Sequence, residues 1–160
     1  MNDIVILINT CEITAGTRGA SQGPEAILAE AEKSGNAVFQ QNEVYTLPCF
    51  NHYLDTQTPY QFAKRIDGVL ELYKCLDHEV SKSLQSGAFP IILAGDHGSA
   101  GGTIAGIKSA FPSKRLGAVW IDAHADIHTP YTTPSGNIHG MPLAVALGID
   151  NLKCKSNDIG

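Results

Sequence analysis

Continuous apolar runs alternate along this chain with runs whose apolar residues recur at steps of three and four, and the two patterns predict different elements. Ile4 to Ile8 is an unbroken β-branched and leucine run. It has the make-up of a strand covered on both faces and is expected at the centre of a parallel sheet. After a stretch rich in Gly, Thr and Ser from Thr10 to Gly23, the segment PEAILAEAEKSG reads as a helix, with Pro24 at its first position and Gly35 just past its end. Glu43 to Leu47 is a second candidate strand, followed by irregular chain from Pro48 to Pro59. Thr58 and Pro59 form a helix-start pair. Behind them Phe62, Ile66, Val69, Leu70, Tyr73, Leu76, Val80 and Leu84 keep helical spacing, which predicts one long amphipathic helix ending near Gly87. Phe89 to Leu93 is the third apolar run, with Pro90 tolerated at a strand's beginning. The glycine-rich AGDHGSAGG then lets the backbone pack close or turn sharply into a helix over Thr103 to Phe111. Leu116 to Ile121 is expected to form a fourth strand.

Strands alternating with helices through short loops predict an α/β protein with a three-layer α/β/α arrangement on a parallel sheet, with residues 1–160 in a single domain. In open sheets of that type ligands gather beyond the carboxyl ends of the strands, and there the charged residues lie. Asp122, His124 and Asp126 occupy alternate positions directly after the fourth run. In extended chain, alternate side chains project to one face and can converge on one point. His97 follows the third run and opens on the same edge, so the four can share a metal site. Carboxylate oxygens with imidazole nitrogens suit a hard or borderline divalent ion. Asp122 has two oxygens and can bridge, with His97 and Asp126 on one ion and His124 on a second beside it. Two such ions about 3.5–4 Å apart activate a water for hydrolysis. A polar loop that happens to hold acids and histidines is the plainer alternative, and the strand context with His97 upstream weighs against it.

Other candidates carry less. The turn around Gly95 to Gly102 matches neither G-x-x-x-x-G-K-[ST] nor G-x-G-x-x-G, which disfavours phosphate binding. His52 and His78 read as surface residues, and Arg18 as a loop charge or a packing contact.

Composition narrows the partner. The 160 residues are 43% hydrophobic and 17% charged, enough for a globular core, and the net charge of -5 without long runs of one sign argues against nucleic acid or an anionic membrane. A small molecule is the expected partner. Cys11, Cys49, Cys75 and Cys154 are far apart with no C-x-x-C. The start MNDIVILINT lacks the features of a signal peptide, and no apolar run nears the roughly 20 residues that span a bilayer. A cytoplasmic protein with reduced thiols is expected.

AGDHGS, WIDAHAD and TTPSGNIHGMPL together resemble the metal and substrate segments of the ureohydrolases, most of all the arginases, and GTRGASQGPEAI resembles the arginase start. The likeness runs from Ile4 to about Gly148. It implies an arginase-like fold and a site with two manganese ions. His97 and Asp126 then match ligands of the first ion, Asp122 a bridging carboxylate, and His124 a ligand of the second. His139 matches a proton-shuttling histidine, a task suited to an imidazole. His128, Thr133, Ser135 and Asn137 match positions that contact the substrate amino acid. The implied reaction is hydrolysis of L-arginine to L-ornithine and urea, in a homo-oligomer such as a trimer or hexamer.

The chain also departs from that pattern. His128 stands where arginases usually carry Asn, and Gly98 where a Ser commonly follows the first histidine, which keeps related guanidino or formimino compounds open as substrates. Agmatinases lack the S-G-N-x-H-G form, which counts against agmatine. The second acidic motif of the family, S-x-D-x-D-x-x-D-P, and the glutamate beyond it are absent, and only Asp150 and Asp158 follow His139. The chain therefore reads as the N-terminal portion of such an enzyme, or as a non-catalytic metal-binding relative.

Overall fold

The computed structural model describes residues 3–159, so Met1 and Asn2, with which the amino-terminal reading begins, lie outside the described residues. Three parallel strands form one sheet in the order β2-β1-β3: β1 is Ile4–Asn9, β2 is Glu43–Thr46 and β3 is Phe89–Ala94. Leu7 of β1 faces Tyr45 on one side and Ile92 on the other. The central place of β1 explains its burial. Ile6, Leu7 and Ile8 are 0%, 1% and 3% exposed although neighbouring side chains point to opposite faces. At the edge, every residue of β2 is exposed.

Helix α1 spans Gln22–Lys33, beginning two residues before Pro24, and Gly35 beyond its end adopts φ +68°, a conformation that glycine takes without a Cβ penalty. A short α2, Val38–Gln41, leads into β2. The long helix α3 covers Ile66–Gln85 and sends Val69, Leu72, Leu76 and Val80 into a core shared with Leu7, Cys11, Ile13, Leu47, Ile138 and Met141. It begins seven residues later than Pro59. Lys64 N donates to Gly136 O at 2.9 Å, and Arg65 takes a left-handed φ of 57°, which no helix can continue through. Thr58 still acts as a cap, but on that turn: its hydroxyl accepts from Arg65 N at 3.1 Å.

Helix α4 runs Ala100–Ala110, three residues earlier than expected, and takes in Gly101 and Gly102, two of the glycines read as a turn, together with Gly106. Their role is close packing on α3. A Cβ on Gly102 would lie 2.9 Å from that of Leu76, and one on Gly106 2.7 Å from that of Val80. After α4 a 3₁₀ turn at Ile138–Gly140 precedes α5, Pro142–Leu147, and a further 3₁₀ turn covers Leu152–Cys154. No helix among the described residues is long and apolar enough to cross a membrane.

The expected fourth strand is corrected. Residues 116–121 form no ladder, and Val119 and Ile121 are 90% and 95% exposed. A strand needs a partner about 4.8 Å away. Instead a cavity of about 580 Å³ separates this segment from β3, lined by Ile92, Ala94, Ile104 and Ile107 on one side and residues 116–122 on the other. A second, of about 610 Å³, lies between the segment and α4 and α5. The run is as apolar as a covered strand, but among the described residues nothing covers it.

Candidate metal centre

The end of β3 places the first histidine. Asp96 turns the chain there, its Oδ1 accepting from Gly98 N at 3.0 Å and its Oδ2 from Ala15 N at 2.6 Å. A capping side chain of this kind satisfies the amides of a tight turn and leaves His97 facing outward. Gly98 has no room for a side chain, because a Cβ would overlap the Thr14 hydroxyl. Tyr73 Oη on α3 clamps the turn from below, donating to Gly98 O at 2.8 Å. Burial, with the Asp96 charge behind it, keeps this phenol protonated well above its ordinary range.

The acidic segment meets His97 from the other side. Asp126 is 7% exposed and sits at φ +49°, a left-handed conformation that Asp adopts more readily than most residues. Its carbonyl accepts from Leu143 N at 3.1 Å. Its Oδ2 accepts from Trp120 Nε1 at 3.2 Å and lies 3.4 Å from His97 Nε2. Asp122 Oδ1 accepts from His124 N at 3.0 Å. That backbone bond, opposed by slight desolvation and helped by the imidazoles of His97 and His124, holds the Asp122 carboxyl below its ordinary value.

One donor atom from each of His97, Asp122 and Asp126 falls within 4.8 Å of the others. Asp96, His97 and His139 form a second such group. The first has the freer donors, since both Asp96 oxygens already hold backbone amides. His97 Nε2 also contacts His139 O at 3.0 Å. That contact requires a hydrogen on Nε2, which a bound cation would displace. A carboxylate and a carbonyl gathered at one imidazole nitrogen make a strongly electron-rich point, and the oxygen and nitrogen donors there fit a divalent cation.

His124 stands outside both groups. Residues 122–124 form bends rather than extended chain, so alternate side chains do not share a face. Its ring is 82% exposed, with Nδ1 3.7 Å from Asp122 Oδ1. His139 stacks on His97 with ring centroids 5.5 Å apart, and its backbone N donates to Thr14 O at 3.1 Å.

A cavity of about 330 Å³ adjoins these groups, lined by His97, His124, Asp126, His128, Thr133, Ser135 and His139 among others. His128 Nδ1 meets Thr132 Oγ1 at 3.1 Å. Thr133, 2% exposed, uses its hydroxyl to accept from Gly136 N at 2.9 Å, and Ser135 Oγ accepts from Asn137 N at 3.2 Å. Asn137 does not line this cavity. Its Oδ1 accepts from Arg65 Nη2 at 2.6 Å, while Arg65 Nε donates to Ile13 O at 2.8 Å. That bond leaves the Asn137 amide nitrogen as its free donor.

Arg65 and Trp120 are supports that the spacing of residues gave no reason to single out. Arg18 pairs with Asp55 at 2.6 Å on the surface, and His52 and His78 are exposed.

Comparison with known proteins identifies the family. The model of the arginase family matches residues 2–157. The arginase of Brevibacillus brevis is 41% identical over 143 residues, which are 86% of this chain and 45% of that protein. The arginase of Bacillus subtilis is 37% identical over 134 residues, 82% of this chain and 44% of its own length. Among solved structures, Entamoeba histolytica arginase in complex with L-ornithine superposes with a TM-score of 0.76 at 30% identity, covering 94% of this chain and 52% of that one. Bacillus caldovelox arginase gives 0.76 at 32% identity, covering 94% and 50%. The chain spans about half the length of the curated relatives it matches.

Proposed function

The chain belongs to the arginase family, and from that premise we propose that it is the N-terminal portion of one α/β domain that hydrolyses the guanidino group of L-arginine to L-ornithine and urea. The observation that carries this is the approach of His97, Asp122 and Asp126 to within 4.8 Å, beside the cavity that His128, Thr133, Ser135 and His139 line. His97, Asp122 and Asp126 would hold one manganese ion, and Asp122 with His124 would contribute to a second in the complete site. Bound there, the ions would acidify a water and orient it toward the guanidinium carbon.

The remaining work falls to the chain's own residues. His139, stacked on His97 at the cavity wall, protonates the departing amine. Thr133 and Ser135, at the cavity wall, offer hydroxyl donors to an α-carboxylate, and Asn137, outside that wall, supports them by donating its backbone N to Ser135 Oγ. His128 orients the substrate backbone through the nitrogen that Thr132 leaves free. A cytoplasmic location and a homo-oligomer of three or six chains accompany this reading. The engagement of His128 with Thr132 favours a second reading, a related guanidino or formimino substrate, because an imidazole presents one fixed donor where an amide would present two.

Urea release tests both, with L-arginine, agmatine and formiminoglutamate offered in turn with manganese at mildly alkaline pH. The 160-residue chain should release little or no urea, and a polypeptide continued to the length of its relatives should turn over arginine. Robust turnover by the chain alone would show that the site needs no further carboxylates. Preference for formiminoglutamate would reassign the substrate, and no turnover by the longer polypeptide would make this a non-catalytic metal-binding relative.

A further inference from the structure

Away from the metal centre, β1 and β2 leave the sheet side by side, and each carries a cysteine just beyond its end. Leu47 N donates to Ile8 O at 2.8 Å, so the two loops start in register. Cys11 is held by its own loop, its N donating to Asn9 Oδ1 at 3.0 Å, and it is 1% exposed. Its sulfur is bracketed by the backbone on both sides of Cys49: Phe50 N donates to it at 3.1 Å, and it lies 3.7 Å from Pro48 O. With standard bond lengths from Phe50 N back to the Cys49 Cα, that α-carbon is at most about 5.5 Å from the Cys11 sulfur. Cys49 is exposed, whereas Cys75 is half-buried on α3 and Cys154 lies at the far end of the chain.

We propose that Cys11 and Cys49 are a peroxide-sensitive dithiol that closes to an intramolecular disulfide, with Cys49 as the reactive thiol and Cys11 as the resolving one. Exposure gives Cys49 access to a peroxide, while Cys11 is shielded. The Cys49 thiol gives up its proton, the thiolate attacks one peroxide oxygen, the O–O bond breaks, and Cys49 becomes a sulfenic acid while the departing hydroxide takes up that proton as one water. The Cys11 sulfur then attacks the Cys49 sulfur. An S–S bond forms, the S–O bond breaks, and the Cys11 proton leaves with the hydroxyl as a second water. Two thiols and one peroxide thus give one disulfide and two waters.

The geometry assigns the roles in that order. Burial pushes the Cys11 thiol up to about 12, so it is a poor first nucleophile, while the Phe50 amide pointed at its sulfur favours the thiolate once a sulfenic acid stands beside it. The disulfide would also reach the metal centre. The loop after Cys11 carries the Ala15 amide on Asp96 and the Thr14 carbonyl on His139 N, so tying it to residues 48–50 fixes the turn that presents His97 and the backbone of His139.

The test titrates the 160-residue chain with hydrogen peroxide, blocks remaining thiols by alkylation, and maps non-reduced peptides by mass spectrometry. A Cys11–Cys49 linked pair should appear within one chain, about two mass units lighter than its two thiol peptides together and split by dithiothreitol. Cys49→Ser, a change at an exposed position, should abolish it, while Cys154→Ser should leave its yield unchanged. Cys49 accumulating as sulfinic acid with Cys11 still alkylatable, or Cys49 linking only between chains, would overturn the proposal.

Discussion

Leu76 on α3 and Val119 ahead of Asp122 are both apolar, yet one is 0% exposed and the other 90%. The first belongs to a body of β1, β3, α3 and α4 that closes on itself. The second belongs to a segment that carries Asp122 and Asp126 but borrows its position. Trp120 Nε1 on Asp126, Leu143 N on the Asp126 carbonyl and His128 N on Gly140 O at 3.0 Å are among its few anchors. Hydrogen bonds of this kind each contribute about 1 kcal/mol, far less than a packed stripe of leucines and valines. Stability and chemistry are therefore divided between the two regions, and a change in one should leave the other largely intact.

Three substitutions sharpen or break that division. Leu76→Ala should cost about 2–5 kcal/mol in urea denaturation, because the close α3–α4 packing cannot collapse around the void. A smaller loss, under about 1 kcal/mol, would mean that the body is looser than its burial implies. Trp120→Phe keeps the ring and removes only the donor to Asp126. Manganese affinity, followed by titration calorimetry, should fall by roughly tenfold, as for other losses of a partner to a metal-binding carboxylate, with the denaturation midpoint nearly unchanged. A large drop in that midpoint would show Trp120 to be part of the stabilising core. Val119→Ser should change stability by no more than about 0.5 kcal/mol, as at other open surface positions. A cost comparable to that of Leu76→Ala would dissolve the comparison, since it would place the segment in a packed interior.

The same division decides what could be read from residues alone. The apolar run of β1 and the helical stripe of α3 were legible because their burial is local in origin, a period matched to a face. The start of α3 was not, because it is set by Lys64 and Arg65 bonding to chain that lies seventy residues or so away, at Gly136 and Asn137. Gly101 and Gly102 looked like turn glycines beside a strand end, and only the approach of Tyr73 and Leu76 reveals their packing role. At the centre, the spacing singled out His97, Asp122 and Asp126, whose donor atoms the fold gathers within 4.8 Å. The direction of His124 did not follow, since the bends at residues 122–124 cancel the alternation of an extended strand. Residues 116–121 show the limit most plainly: apolarity records what a run can bury, and a partner edge decides whether it becomes a strand.

The left-handed backbone at Asp126 has a consequence for how this position can change over time. A replacement there is filtered twice, once for a carboxylate and once for a residue that tolerates positive φ. Asn passes the second filter and fails the first, so it removes charge while sparing shape. Glu does the reverse, keeping charge but straining the turn. Few single-step changes satisfy both filters, and the mutational neighbourhood of the buried carboxylate is correspondingly small.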